Sequence, residues 1–263
     1  MNRLNTLLTT AVATATLSLA AGTASAATLL ALGADGQLFK IDSASQKITA
    51  SMPASSPSPL RGIDVRPANG MLYGLGSDNQ LYTLDLATGA ASKVASLNKQ
   101  LPGSGQAVID FNPVADKLRM LAADGTSFRV NVETGEVVVD GSVAYAAEGP
   151  YAGKSAQVVA GAYSNAYAGT QATALYNVDL ASSSLMLQNP PNDGIQQAVG
   201  KIVDGLQNAA LDIASDGKGG NTAYLLTGTT LHTLNLATGK PITLGEVAGL
   251  PGNIIDIAVL PEL

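Results

Sequence analysis

Four aspartates recur at one place in a repeated pattern: Asp64 in GIDV, Asp110 in VIDF, Asp212 in LDIA and Asp256 in IIDIA. Each stands between apolar residues of a β-rich run. Carboxylates gathered around one axis repel each other and raise one another's pKa, and they offer an all-oxygen ligand set suited to a hard cation such as Ca²⁺. The other use is structural. Each carboxylate can accept hydrogen bonds from turn amides of an adjacent strand and lock one repeat to the next, and identical placement in copy after copy favours that use. The fourth copy has Ala162 at the matching place, so the set is incomplete.

A second group lies where the copies differ. Arg119 and Arg129 of the third copy stand where the second has Tyr73 and Tyr82. A buried guanidinium is costly unless paired, and Asp110 and Asp116 are the nearby acids. The stretch Gln188-Asn189-Pro190-Pro191-Asn192-Asp193-Gly194 reads as an insertion leading out of the fourth copy, either a ligand-facing loop or a connection between copies. The candidate ligand-binding residues are therefore Asp110, Asn112, Arg119, Arg129, Asn189, Asn192 and Asp193. The candidate Ca²⁺ ligands are Asp64, Asp110, Asp212 and Asp256.

Much chemistry is excluded by composition. There is no Cys and a single His. Disulfides, thiolate zinc sites, iron–sulfur clusters and cysteine nucleophiles are ruled out, and one imidazole cannot make a copper or zinc cluster. His232, in LHTLN, reads as a strand side chain, and no G-x-S-x-G elbow accompanies it. Asp216–Asn221 (DGKGGN) lacks the G-K-[ST] ending of a phosphate loop and reads as a hairpin. No catalytic residue emerges. The net charge of −6 disfavours nucleic acid, and 46% apolar with 13% charged residues over 263 positions supports a large core.

The elements that must position these residues are strands. Residues 62–97, 108–143 and 211–247 share a layout: an apolar-Asp-apolar strand, a turn, a second strand, a third strand ending in Asp or Asn, then Thr-Gly and a fourth β-rich stretch. Residues 158–200 form a weaker copy, and 29–52 match from the second strand onward. The missing first strand appears at the far end, in 254–261 (IIDIAVLP). The third-strand anchors Asp42, Asp85, Asn131, Asp179 and Asn235 are 43, 46, 48 and 56 residues apart. Four-strand repeats of that length mark β-propeller blades, which bury their faces only by stacking into a ring. The expected fold is an all-β propeller of five four-stranded blades, closed when the C-terminal strand joins the N-terminal unit. Residues 195–204 (IQQAVGKIVD) read either as one short turn of helix or as a long loop between blades.

Residues 1–26 carry Arg3, an apolar run and Ala24-Ser25-Ala26, the layout of a Sec-type signal peptide cleaved after Ala26. A single domain over 27–263 is expected, periplasmic or secreted. No later apolar stretch is long enough to span a bilayer.

VIDFNPVADKLRMLAADGTSFRVNVETG (108–135), VVAGAYSN (158–165) and QNPPNDG (188–194), in that order, resemble the DUF4394 family of exported bacterial proteins. The matching motif residues are Asp110, Asn112, Pro113, Asp116, Arg119, Arg129, Asn131 and Asn189 to Gly194, while Val132 replaces the usual Pro. The resemblance implies a propeller-like fold and export, and no reaction.

Taken together, these residues point to an exported, non-catalytic binding or interaction propeller for a small molecule, a glycan or a protein. A monomer without a cofactor is expected. The alternative is a Ca²⁺-dependent hydrolase or lactonase-like enzyme at the channel mouth, a chemistry that needs neither His nor Cys.

Overall fold

Short alternating runs broken by Asx-Gly turns leave little choice but hairpins. In the computed structural model, which describes residues 26–261, these runs form five antiparallel sheets arranged as a five-bladed propeller. The expected signal peptide over residues 1–26, apart from Ala26, lies outside the described residues.

In the first blade the innermost strand is β21 (Ile254–Val259), followed outward by β1 (Thr28–Gly33), β2 (Gln37–Asp42) and β3 (Lys47–Pro53). The second blade is β4 (Leu60–Val65), β5 (Leu72–Gly76), β6 (Gln80–Leu84) and β7 (Ala91–Ser96). The third is β8 (Val108–Asn112), β9 (Lys117–Leu121), β10 (Ser127–Asn131) and β11 (Glu136–Val139). The fourth runs β13 (Val158–Tyr163), β14 (Leu175–Asp179), β15 (Ser184–Gln188) and β16 (Ile195–Lys201). The fifth is β17 (Ala210–Ser215), β18 (Asn221–Thr227), β19 (Thr230–Leu234) and β20 (Pro241–Glu246). The C-terminal strand closes the ring as expected: β21 pairs antiparallel with β1, Leu29 opposite Val259 and Ala31 opposite Ile257.

Two details differ from the sequence reading. The fourth blade has a fifth strand, β12 (Ala144–Tyr145), which pairs parallel with β16. Residues 195–201 are a strand, not a helix, because Ile195 and Val199 suit a sheet and Gly200 packs against the Thr238 carbonyl of the next blade, which would lie 2.1 Å from a Cβ. Among the described residues the one helical turn is the 3-10 turn Pro191–Asp193 just before it. Residues 189–194 thus join β15 to β16 within the fourth blade instead of leading out of it.

The repeated Asx-x-x-Thr-Gly signature has a local cause and a long-range one. Asp85 accepts from the backbone N–H groups of Ala87 and Thr88, and Asn131 accepts from that of Glu133, so each Asx side chain closes its own turn. Four residues after the anchor the backbone is left-handed in every blade: Gln46, Gly89, Gly135, Ser183 and Gly239. At Gly135, with φ 75°, a Cβ would lie 1.9 Å from the Ser96 carbonyl oxygen at the end of the preceding blade. Glycine there permits both the turn and the contact between blades.

Apolar clusters fill the seams between blades, for example Leu75, Ile109, Phe111, Met120 and Val130 between the second and third. The seam between the third and fourth is the exception. Its apolar cluster has only Val108, Leu121 and Val158 as buried members.

Candidate functional site

The inner strands β21, β4, β8, β13 and β17 surround the axis. Because side chains alternate along a strand, the residue after each inner Ile or Leu is brought to the next blade. Asp212 accepts from Val259 N at 2.5 Å, Asp256 from Ile63 N at 2.9 Å, Asp64 from Phe111 N at 2.7 Å and Asp110 from Tyr163 N at 2.9 Å. The second oxygens of Asp212, Asp256 and Asp64 accept the amides of Ile213, Ile257 and Val65. Each carboxylate thus ties its blade to the next, and the step from the fourth blade to the fifth, where Ala162 stands, has no such tie. There Gln106 serves at the opposite end of the axis. Its Nε2 donates to the carbonyls of Val159, Ala209 and Ile255, from three inner strands or the residue leading into one. The loop presenting Gln106 is organised by buried Arg61, which donates to the carbonyls of Leu101, Pro102 and Gly105.

All four aspartates are buried. Burial, and then repulsion from Asp212, pushes Asp64 well above the usual carboxylate range; burial and then Asp64 do the same to Asp110. Burial raises Asp256 likewise and brings Asp212 up to about 6. Asp64, Asp110 and Asp212 each offer an oxygen within 4.8 Å of the others; Asp256 is not part of that trio. Three carboxylate oxygens fit the chemistry of a hard cation, although five of the six oxygens of these residues also accept backbone amides.

Above Asp64 and Asp212 the channel opens into a funnel of about 860 Å³. Its walls include Tyr167, Asp216, Asn221 and Tyr224, and no Lys, Arg or His is among the described residues that line it. The wall carrying Tyr167 is the loop between β13 and β14. It is fixed to the fifth blade by a reciprocal pair, Asn165 N to Asn221 Oδ1 at 2.7 Å and Asn221 Nδ2 to Asn165 Oδ1 at 2.9 Å.

The other candidate residues lie elsewhere. Arg119, 1% exposed, donates to Asp140, Ser127, Tyr163 and Asn192. Arg129 donates to both oxygens of Asp140. Burial alone would raise the Asp140 pKa, but hydrogen bonds from Arg129 and Arg119 hold it below the usual value. The guanidinium partner is therefore Asp140, not Asp110 or Asp116; Asp116 pairs instead with Arg66 of the second blade. This polar cluster occupies the seam that is poor in apolar side chains, between the third and fourth blades. Asn112 caps its own turn through Val114 N and Ala115 N. The Asn189 carbonyl accepts from Gln197, and Asp193 is exposed, with its backbone against Gly141. The motif residues and the axial carboxylates thus form two groups, joined through Asp110 and Tyr163.

Sequence reasoning missed Asp140, Gln106, Arg61, Tyr167 and Asn221. Asn165 lay inside VVAGAYSN, and Asp216 and Asn221 of the funnel wall lay inside a stretch read only as a hairpin. His232 hydrogen-bonds Thr227 and Thr243 and does not line the funnel. Among the described residues no helix is long and apolar enough to cross a membrane.

Solved structures with the same architecture include a protein of unknown function from Bacteroides thetaiotaomicron VPI-5482, with TM-score 0.54 and 16% identity over 89% of this chain and 65% of that one. Two others align with TM-score 0.45: a protein of unknown function from Bacteroides caccae, at 12% identity over 90% of this chain and 100% of that one, and an auxiliary nutrient binding protein from Bacteroides ovatus ATCC 8483, at 15% identity over 74% and 55%. A comparison with curated proteins gives no match. At 16% identity the first of these speaks for the fold alone. The family model described as "Domain of unknown function (DUF4394)" matches residues 37–258, and the chain belongs to that family.

Proposed function

We propose that the protein is an exported, non-catalytic binding propeller that holds a small polar molecule in the funnel at its channel mouth. The observation that carries this reading is the funnel itself. It has about 860 Å³ of space, rigid inner strands beneath it, carboxylates at its floor and amide and phenol groups on its walls. A concave site with a few convergent polar groups is the usual form of a small-molecule site. Each oxygen of Asp64 and Asp212 already accepts one backbone amide and keeps a second lone pair, so hydroxyl or amine donors are what the floor can still take from a ligand. The engagement of His232 in the fifth blade, away from the funnel, supports a non-catalytic role. Export follows from the leader pattern that ends in Ala24-Ser25-Ala26.

A thermal-shift screen of sugars, polyols, amines and amino acids tests the reading. A true ligand at about 100 times its Kd adds about 2.7 kcal/mol to stability. The shift should disappear in a Tyr167→Ala, Asn221→Ala variant. A shift that survives this change places the ligand elsewhere.

A second reading, a Ca²⁺-dependent hydrolase at the same mouth, has one observation behind it: the approach of Asp64, Asp110 and Asp212. Calorimetric titration with Ca²⁺ separates the two. No heat, and no change of stability with chelator, sinks the hydrolase.

A further inference from the structure

We propose that removal of the leader after Ala26 turns the α-amino group of Ala27 into a ligand-binding group of the funnel: an ammonium on the rim that receives the carboxylate of a small zwitterion whose donor end meets Asp64 and Asp212. The inference rests on the binding reading of the funnel and on leader cleavage, and it adds the chemical class of the ligand.

The closure of the ring dictates where the mature chain begins. The C-terminus supplies the innermost strand of the first blade, so the chain enters the ring on its second strand, β1. That strand runs antiparallel to β21, and its first residues therefore lie where the inner strands end, which is the funnel side. Ala27 is half-buried and lines the funnel beside Tyr224, Val259, Leu260 and Pro261.

Its position is fixed from two sides. Ala27 N donates to Ser43 Oγ at 2.8 Å, and Ser43 N donates back to the Ala27 carbonyl at 3.0 Å. Buried Ser43 in turn donates its hydroxyl to Tyr224 Oη at 3.4 Å. Across β1, Leu260 N donates to the Thr28 carbonyl at 2.8 Å. In the unprocessed chain the Ala27 nitrogen is an amide with one proton, and Ser43 accepts it. Cleavage leaves an ammonium with three protons and a positive charge, so two donors remain after the bond to Ser43. No other cationic group lines the funnel among the described residues. The charged or titratable groups that share it are Asp64, Asp212, Asp216, Tyr167 and Tyr224. A rim cation above a floor of acceptors is complementary to a molecule with a carboxylate at one end and an amine at the other.

The test compares two exported forms of the full mature protein, one beginning at Ala27 and one retaining Ala26, each verified by intact mass. Free amino acids and their carboxylate-blocked amides are titrated calorimetrically into both. The expected result is an amino acid that binds the Ala27 form about tenfold more tightly than the extended form, about 1.4 kcal/mol, while its amide binds both alike. Ser43→Ala, with its fold checked by circular dichroism, should weaken binding of the same amino acid several-fold. Equal affinity of the two forms overturns the inference and leaves the funnel reading standing. No heat with any amino acid or amide also overturns it; the funnel reading then fails as well only if the polar ligands of the thermal-shift screen are insensitive to Tyr167→Ala, Asn221→Ala. Natural processing at a bond other than Ala26–Ala27 overturns the inference directly.

Discussion

Asp256 Oδ2, on the last strand of the chain, accepts the N–H of Ile63 at 2.9 Å, and 193 residues separate the two. The same carboxylate accepts Ile257 N through its other oxygen. One side chain therefore joins the strand that closes the ring to the first strand of the second blade. Asp256→Ala leaves two buried amides without their acceptor and is expected to cost about 1–3 kcal/mol, read as a lower urea midpoint with an unchanged m-value. An unchanged midpoint would show that the tie contributes nothing.

The axial carboxylates should make stability depend on pH in an unusual sense. Their folded pKa values lie above the ordinary carboxylate value, with Asp212 at about 6. Between the unfolded and folded values the native state binds more protons, so stability falls as pH rises through that window. The expected outcome is a higher melting temperature near pH 5 than near pH 8. Below the usual carboxylate pKa the trend reverses, because Asp116 and Asp140, whose folded values are depressed, lose their stabilising contributions as they protonate. A melting temperature that rises steadily from pH 5 to pH 8 would contradict the account.

Asp140 serves two guanidinium groups, one of them wholly buried. Asp140→Ala leaves Arg119 without an anion and should cost about 3–5 kcal/mol. Arg129 is 32% exposed, and Arg129→Ala should cost only about 0.2–1 kcal/mol. Chemical denaturation of both variants checks the ranking, and equal losses would refute it.

Glycines at the blade contacts should differ sharply from those in open loops. Gly135→Ala meets both a left-handed backbone and the Ser96 carbonyl, so a loss of about 1–3 kcal/mol is expected. Gly105 has open space around it and no positive φ, so Gly105→Ala should stay within about 0.5 kcal/mol of the wild type. Melting temperatures of the two variants decide the matter.

Features that recur in every repeat were legible in the sequence, because repetition exposes them. The five Asx anchors, the Thr-Gly turns and the displaced first strand were enough for the blade count and the closure. The axial aspartates were legible because four of the copies carry them, and so was the lock between blades, but the amides they accept belong to the neighbouring inner strands themselves, not to turns. The pairing of Arg119 was not, since Asp140 lies just beyond β11, outside any repeated position. Gln106 and Arg61 gave no signal, because their partners are backbone carbonyls that any residue supplies. The strand at 195–201 was obscured by IQQAV, whose apolar spacing fits a short helix and an exposed outer strand equally. Tyr167 and Asn221 became visible as funnel walls only when the loop between β13 and β14 was seen to lean on the fifth blade.

On our proposal the funnel over Asp64 and Asp212 binds a small polar molecule and releases it unchanged. Its most direct test is a calorimetric titration of the best thermal-shift ligand into the mature protein and into Tyr167→Ala, with the ligand recovered and weighed by mass spectrometry. The expected result is saturable one-to-one binding that is weakened severely in the variant, with the recovered ligand chemically intact. Undiminished binding in the variant, or a ligand converted to product, would contradict it.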